Sequence, residues 1–312
     1  MNWKIKALLQ KFLALTNIGD SLNHIPATLN KNYHSNVVVF QTHECIRRVS
    51  YCNLDLSVGK TALEIGTGYS LISSIVLSLL GFEKIITVDI TRDLQFSTLK
   101  KQLKYLEEKV NLEKIVGHSI FLENEIKEKI KLINQTQSMD SIFELLNINY
   151  IAPYTFDAIE TRTSEFDYIT SLVVLEHVNT EILDKLFKNT KVWLKKDGYC
   201  VHTINFIDHF ANPGIFQDKS ISEFNFLKYS DKYWGFWSGN SIAYTNRLCY
   251  IFYLELCDKY DLNVINFMGE NYRERKELDL NQIHTDILKK YSSKPDINEL
   301  IKYQRGTLLI KA

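Results

Sequence analysis

"ALEIGTGYS", residues 62–70, is the stretch on which the fold turns. An apolar run carrying one carboxylate, Glu64, meets two glycines, Gly66 and Gly68, spaced one residue apart. The chain spends only 12 glycines on 312 residues, so a close pair at the end of a strand-like run is positional. "TALEIG", 61–66, reads as a strand, and Leu71, Ile75 and Leu79 beside Ile72, Val76 and Leu80 give the helical spacing that follows. Glycine at such a strand-to-helix turn permits positive φ and lets a backbone approach a ligand without a Cβ in the way. Alone, the pair reads equally as an ordinary turn or as a ligand loop.

Three further features choose between these. A dinucleotide fingerprint needs a third glycine at position 71, where Leu71 stands, and that argues against a pyrophosphate-bearing nicotinamide or flavin cofactor. Glu64 precedes Gly66 by two residues, where a carboxylate suits a ligand amine and repels a diphosphate. Asp89 ends the next strand-like run, "KIITVDI", where an acid accepts hydrogen bonds from ribose hydroxyls. A ribose, an amine and no diphosphate describe S-adenosyl-L-methionine (SAM).

Outward from this stretch, short apolar runs alternate with amphipathic ones. Further strands are expected at 147–153 (ending at Pro153), 166–171, 199–206, near 262–268 and at the closing "GTLLIKA". Helices are expected at 92–109, around 183–194 and at 242–260, with a polar helical insertion over 111–146. The reading is an α/β chain with a doubly wound, mostly parallel seven-stranded sheet, whose ligand lies at the carboxyl ends of the strands beside the first one. Residues 1–59 are expected to form a helical N-terminal extension. Residues 60–312 are expected to form the main domain, with an aromatic-rich insertion at about 207–240.

"ALEIGTGYS", "TVDI", "EFDYITSLVVLEHV" and "LKKDGYCVHTIN", taken in order, resemble the successive motifs of the class I SAM-dependent methyltransferases, which have a Rossmann-like fold. The resemblance covers about residues 60–206 together with the closing strands. It implies that Glu64 serves the methionine end of SAM, that Gly66, Thr67 and Gly68 line the cofactor, and that Asp89 holds the ribose. It also implies that Ile90 packs on the adenine, that Ser171 and Leu172 lie under the sulfonium, and that Asp157-Ala158 greets the adenine amino group. "HTINFIDHF", "FNFLKYS", "YW" and "YTNRLCY" resemble a bacterial subgroup of these enzymes that carries a patterned insertion after the fifth strand, with poorly defined substrates.

Methyl transfer from a sulfonium is an in-line displacement in which the enzyme mainly aligns the reacting atoms, and an oxygen acceptor also calls for a base or a metal. His177, after "LVVLE", either shapes a helix start or touches the site, and His202 within the fifth strand reads as a buried histidine. Asp208-His209 falls just past that strand, which makes His209 the candidate base and Asp208 a residue that orients it or something else. His202, Asp208 and His209 match no metal-ligand spacing, so no metal is expected. The aromatics of 206–253 either close a substrate lid or glue the insertion to the body, and Asn246-Arg247 either binds an anion or forms a structural ion pair.

The totals set outer limits. Lys plus Arg and Asp plus Glu are 37 each, so no net positive field gathers nucleic acid. Ser171-Leu172-Val173-Val174 stands where amino-group DNA methyltransferases carry a Pro-Pro-aromatic stretch for a flipped base. Five cysteines without CxxC spacing read as free thiols of a reducing compartment, and no apolar run reaches the roughly 20 residues of a membrane span. In "MNWKIKALLQKFLAL", Gln10 and Lys11 break the apolar run, so a helix packing Leu8, Leu9 and Phe12 onto the body is expected in place of a signal peptide, in a cytoplasmic protein without integral membrane contact. The expected function is methyl transfer from SAM to a small-molecule or saccharide-type acceptor, at oxygen by preference, with the oligomeric state open. The alternatives are a non-catalytic methyltransferase-fold protein serving an assembly and, further off, a nicotinamide-dependent oxidoreductase.

Overall fold

The computed structural model describes residues 1–15, 31–155, 159, 162–211, 216–240, 242–272 and 277–312. Seven strands form one sheet: β1 (Lys60–Ile65), β2 (Phe82–Val88), β3 (Ile148–Ile151), β4 (Phe166–Leu172), β5 (Leu194–Asn205), β6 (Asn263–Glu270) and β7 (Arg305–Lys311). Their order is β3-β2-β1-β4-β5-β7-β6. The β1–β2, β1–β4 and β2–β3 pairs are parallel. β7 runs against β5, since Phe206 N donates to Gln304 O while Ala312 N donates to Gly198 O. The chain winds from β1 toward β3 and then restarts on the other side at β4, so the switch point lies beside β1.

The sequence dictates these elements through burial. Ala62 and Leu63 in β1, Ile85 and Ile86 in β2, and Phe166, Tyr168 and Ile169 in β4 are fully buried, as two covered faces of a parallel sheet require. Every residue of the Ile72–Leu80 helix is buried, which suits its sequence "ISSIVLSLL", apolar on nearly all sides. That helix stops at Gly81, whose φ of 127° only glycine adopts freely and whose missing Cβ makes room for Ile120. The polar insertion is helical as expected, over Lys109–Val116, Glu123–Gln135 and Met139–Leu145, and each helix turns a narrow isoleucine face inward: Ile115; Ile126, Ile130 and Ile133; Ile142.

The described residues fall into two compact units. One draws on Asn30–Leu172, Asn189–Val201 and Leu309–Ala312, and the other on Met1–Leu29, Val173–Lys188 and His202–Leu308. The first holds β1 to β4 with their helices, including Tyr33–Ser50, which buries Val38, Thr42, Cys45 and Arg48. The core of the second is aromatic and includes Phe210, Phe224, Phe226 and Trp234. Those insertion residues therefore pack as interior, although Phe216 and Phe236 remain exposed.

Two local expectations are corrected. The N-terminal helix, Trp3–Leu13, does not pack Leu8, Leu9 and Phe12 inward, since they are 45%, 51% and 62% exposed. Trp3, Ala7 and Gln10, one turn apart on the other face, are buried instead. Trp3 stacks on Trp234 at 5.6 Å and meets Phe210 at 5.7 Å, and that ring cluster outcompetes the leucine face for the interior. The helix expected over 242–260 begins only at Tyr250, because Arg247 adopts a φ of 60° and the residues before it run irregularly. Among the described residues no helix is long and apolar enough to cross a membrane.

Candidate functional site

The carboxyl ends of three neighbouring strands lie in register, with Ile65 opposite both Val88 and Ser171. The next residues along each strand are Gly66, Asp89 and Leu172, so the sheet itself gathers the glycine loop, the acid and the end of β4 at one edge. Gly66 (φ 84°) and Gly68 (φ 63°) both take left-handed backbone, which closes the turn from β1 into the Ile72–Leu80 helix. Gly66 N donates to Val88 O at 2.8 Å, and Gly68 N donates to Asp89 Oδ2 at 2.7 Å. Asp89 Oδ1 receives the Thr91 amide at 3.2 Å, which fixes the carboxylate in both position and orientation.

These residues fit SAM on two observations. A Cβ built on Gly68 would meet nothing within 4 Å, so the loop borders open space. Ile90 is 76% exposed, so its side chain is open to a ligand beside Asp89. Ser171 is fully buried and Leu172 half-buried at the end of β4. Thr67 is buried too, its hydroxyl sharing a hydrogen bond with that of Thr87 at 2.6 Å, so only its backbone is left to line a ligand. Asp157 and Ala158 lie outside the described residues.

Glu64 sits deeper than its place in the motif suggests. It is 5% exposed, and its Oε2 accepts the hydroxyls of Ser74 and, at 3.1 Å, Thr87. Burial pushes its carboxyl above the usual range, while the Ser74 and Ser73 hydroxyls and the Arg48 charge pull it back. Arg48, 1% exposed, donates from Nε to Thr170 Oγ1 at 2.9 Å. This buried cation carries no motif of its own and is invisible in the sequence. Glu64 thus braces the glycine loop from beneath by holding the helix residue Ser74 against the strand residue Thr87.

In the second unit, a separate polar group forms around His177 and His209. Their rings pack edge to face with centroids 4.8 Å apart. Val173, directly after β4, takes a φ of 49°, an outlier for a β-branched residue, and its amide donates to Thr203 O at 2.8 Å. The chain then forms the short 3-10 turn Leu175–His177. This turn is held by a later segment: Asn246 Nδ2 donates to Leu175 O at 2.7 Å and to Val178 O at 3.0 Å, and Asn246 N donates to Glu176 O at 2.8 Å. His177 Nδ1 lies 2.9 Å from Tyr244 O. Glu176 is 4% exposed, and burial pushes its carboxyl up to about 8. Sequence reasoning missed Glu176; the only signal was its position beside His177.

His209 is the expected base, and burial with the nearby His177 and Lys6 charges pushes its imidazole down to about 3. It is therefore neutral near pH 7, with a lone pair available but little basicity of its own. Asp208 does not orient it. The Asp208 carboxylate is fully buried and accepts from Phe210 N at 2.8 Å and from Asn225 Nδ2 at 3.3 Å, capping the turn that carries His209. His202 is fully buried in β5, with its ring 5.9 Å from that of Phe187. Arg247 donates to Phe226 O and Tyr229 O and pairs with Asp231, so the Asn246-Arg247 pair serves the structure.

Residues 38–264 match the family described as a methyltransferase domain. No curated protein matches the sequence. Among solved structures, the chain is similar to a SAM-dependent methyltransferase from Archaeoglobus fulgidus, with 13% identity, 88% of this chain and 94% of that chain covered, and a TM-score of 0.46. It is likewise similar to a SAM-dependent methyltransferase from Mesorhizobium loti, with 11% identity, 86% and 96% coverage, and a TM-score of 0.44. A third is geranyl diphosphate C-methyltransferase from Streptomyces coelicolor A3(2), with 10% identity, 90% and 84% coverage, and a TM-score of 0.43.

Proposed function

The chain belongs to the methyltransferase-domain family, as a class I SAM-dependent enzyme, and on that premise we propose that it methylates an oxygen of a small-molecule or saccharide-type acceptor. SAM supplies an electrophilic methyl group on a sulfonium. The chain's own part begins at the strand ends. Asp89, held by Gly68 N and Thr91 N, presents a fixed carboxylate for ribose hydroxyls. The open face of Gly68 admits the cofactor's backbone, and Ile90 offers an apolar surface for its base. Buried Glu64 stiffens the loop and contributes negative potential toward the cofactor's cationic end.

The observation that carries the donor reading is the register that sets Gly66, Asp89 and Leu172 side by side at the switch point. Preference for oxygen comes from the Glu176, His177 and His209 group, because a hydroxyl must shed its proton for in-line attack while an amine carries its own lone pair.

The test combines binding with turnover. SAM at 100 times its Kd adds about 2.7 kcal/mol to unfolding stability, whereas NAD should add nothing. Transfer of label from SAM to a panel of hydroxylated small molecules and saccharides then identifies the acceptor. Stabilisation by NAD and not by SAM would overturn the donor reading, and turnover confined to amines would overturn the oxygen preference.

A further inference from the structure

We infer that Glu176, His177 and His209 form a binding site for one divalent transition-metal ion of the Zn2+, Co2+ or Fe2+ type. One donor atom from each of the three residues lies within 4.8 Å of the others. Bonds of about 2.1 Å in tetrahedral geometry place two donors about 3.4 Å apart, so the widest pair needs to close by up to about 1.4 Å. Side-chain torsions supply that without moving the backbone.

Two further observations point to a ligand. Nε2 of His209 and both carboxylate oxygens of Glu176 are buried with no well-formed hydrogen bond among the described residues, and the Glu176 carboxylate has only the weak approach of the Glu176 and Asn205 backbone N–H groups. Native proteins rarely leave such atoms so poorly satisfied. A cation answers all three atoms at once. The second observation is the second layer. His177 Nδ1 faces Tyr244 O at 2.9 Å, so that nitrogen carries the proton and Nε2 presents a lone pair. A ligating imidazole whose other nitrogen donates to a backbone carbonyl is a recurrent metal-site arrangement. Asn246 supports it by fixing the turn on which Glu176 and His177 sit.

The donor set is two imidazoles and one carboxylate. It suits borderline transition metals and disfavours Mg2+ and Ca2+, which call for oxygen ligands. Three protein donors leave at least one coordination position free, and the exposure of His177 leaves a route to it. The sequence-based expectation of no metal weighed His202, Asp208 and His209. The structure gathers His209 instead with Glu176 and His177, from the loop after β5 and the turn after β4. Binding of the ion does not rest on the oxygen-acceptor reading above.

The test uses the untagged full chain stripped with a chelator. Titration with Co2+ should give a saturable visible absorption band at one equivalent, displaced by Zn2+. Glu176→Gln and His209→Ala should each weaken Co2+ binding by at least about tenfold while retaining the wild-type circular dichroism. X-ray absorption of the wild-type Co2+ complex should show two imidazole ligands, which decides the matter even if a variant misfolds. No saturable binding of Co2+ or Zn2+, binding unchanged in both variants, or fewer than two imidazoles would overturn the site. SAM affinity measured on the same stripped protein keeps the readings apart: loss of metal binding with SAM binding intact defeats only the metal, and the reverse defeats only the donor site.

Discussion

The carboxylate of Asp89 accepts a hydrogen bond from the backbone nitrogen of Gly68 at 2.7 Å, so the residue expected to hold the ribose also ties down the glycine loop. One side chain thereby sets both the loop's shape and the acceptor that faces the cofactor. Asp89→Ala should remove both, and hydrogen bonds to a charged group are worth about 1.5–3 kcal/mol. We expect SAM affinity in calorimetry to fall at least about tenfold. Asp89→Asn, which keeps an oxygen for Gly68 N, should fall less. Equal, wild-type affinity in both variants would remove Asp89 from the cofactor site.

Gly68 separates the fold from the ligand. Its added Cβ would touch no protein atom, so Gly68→Ala should cost only the left-handed backbone strain of about 1–2 kcal/mol. Gly68→Val should leave a folded protein that no longer binds SAM. Urea titration beside calorimetry checks both halves, and a folded valine variant with normal SAM affinity would place the cofactor elsewhere.

The cysteines should be slow to react. None of the five forms a disulfide, and burial pushes the thiols of Cys45, Cys52 and Cys257 up to about 12. A raised thiol value means less thiolate at any given pH, so at pH 8 these three should alkylate about a thousandfold more slowly than in urea. Mass spectrometry after timed iodoacetamide treatment reads this, and rapid labelling of Cys45 in the folded protein would contradict it.

Trp3 anchors the N-terminal helix. It is 4% exposed, contacts four aromatic rings, and donates its backbone N–H to Asp218 Oδ2 at 2.9 Å. Trp3→Ala should lower unfolding stability by about 3–5 kcal/mol. Phe12→Ala, on the exposed face, should change it by less than about 0.5 kcal/mol. Equal effects would show that the helix docks by its leucine face.

The strand-end placement of Gly66, Gly68 and Asp89 was legible in the sequence because it is local. Gly66, Gly68 and Asp89 follow strand ends, and the alternation of apolar runs with helical spacing fixes which ends meet. Helix faces were harder. Trp3–Leu13 carries apolar residues on both sides, and only the aromatic partners Phe210 and Trp234, distant in sequence, decide which side goes inward. Arg48 shows a related blind spot, since nothing near it in the chain announces a buried cation whose partner is Thr170. Glu176 and His209 come together only in three dimensions, and the neighbouring Asp208, suggestive by adjacency, spends its carboxylate on its own turn.

The hold of Asn246 on the turn at residues 175–178 reaches across 71 positions of the chain. During synthesis, the ribosome must add those residues before the turn has anything to grip it. The sheet strands that shape the cofactor loop, β1 to β4, are complete long before that point. Contacts of such long sequence separation form late. A nascent chain arrested near residue 240 would therefore be expected to display the donor pocket while its histidine turn still lacked its lock.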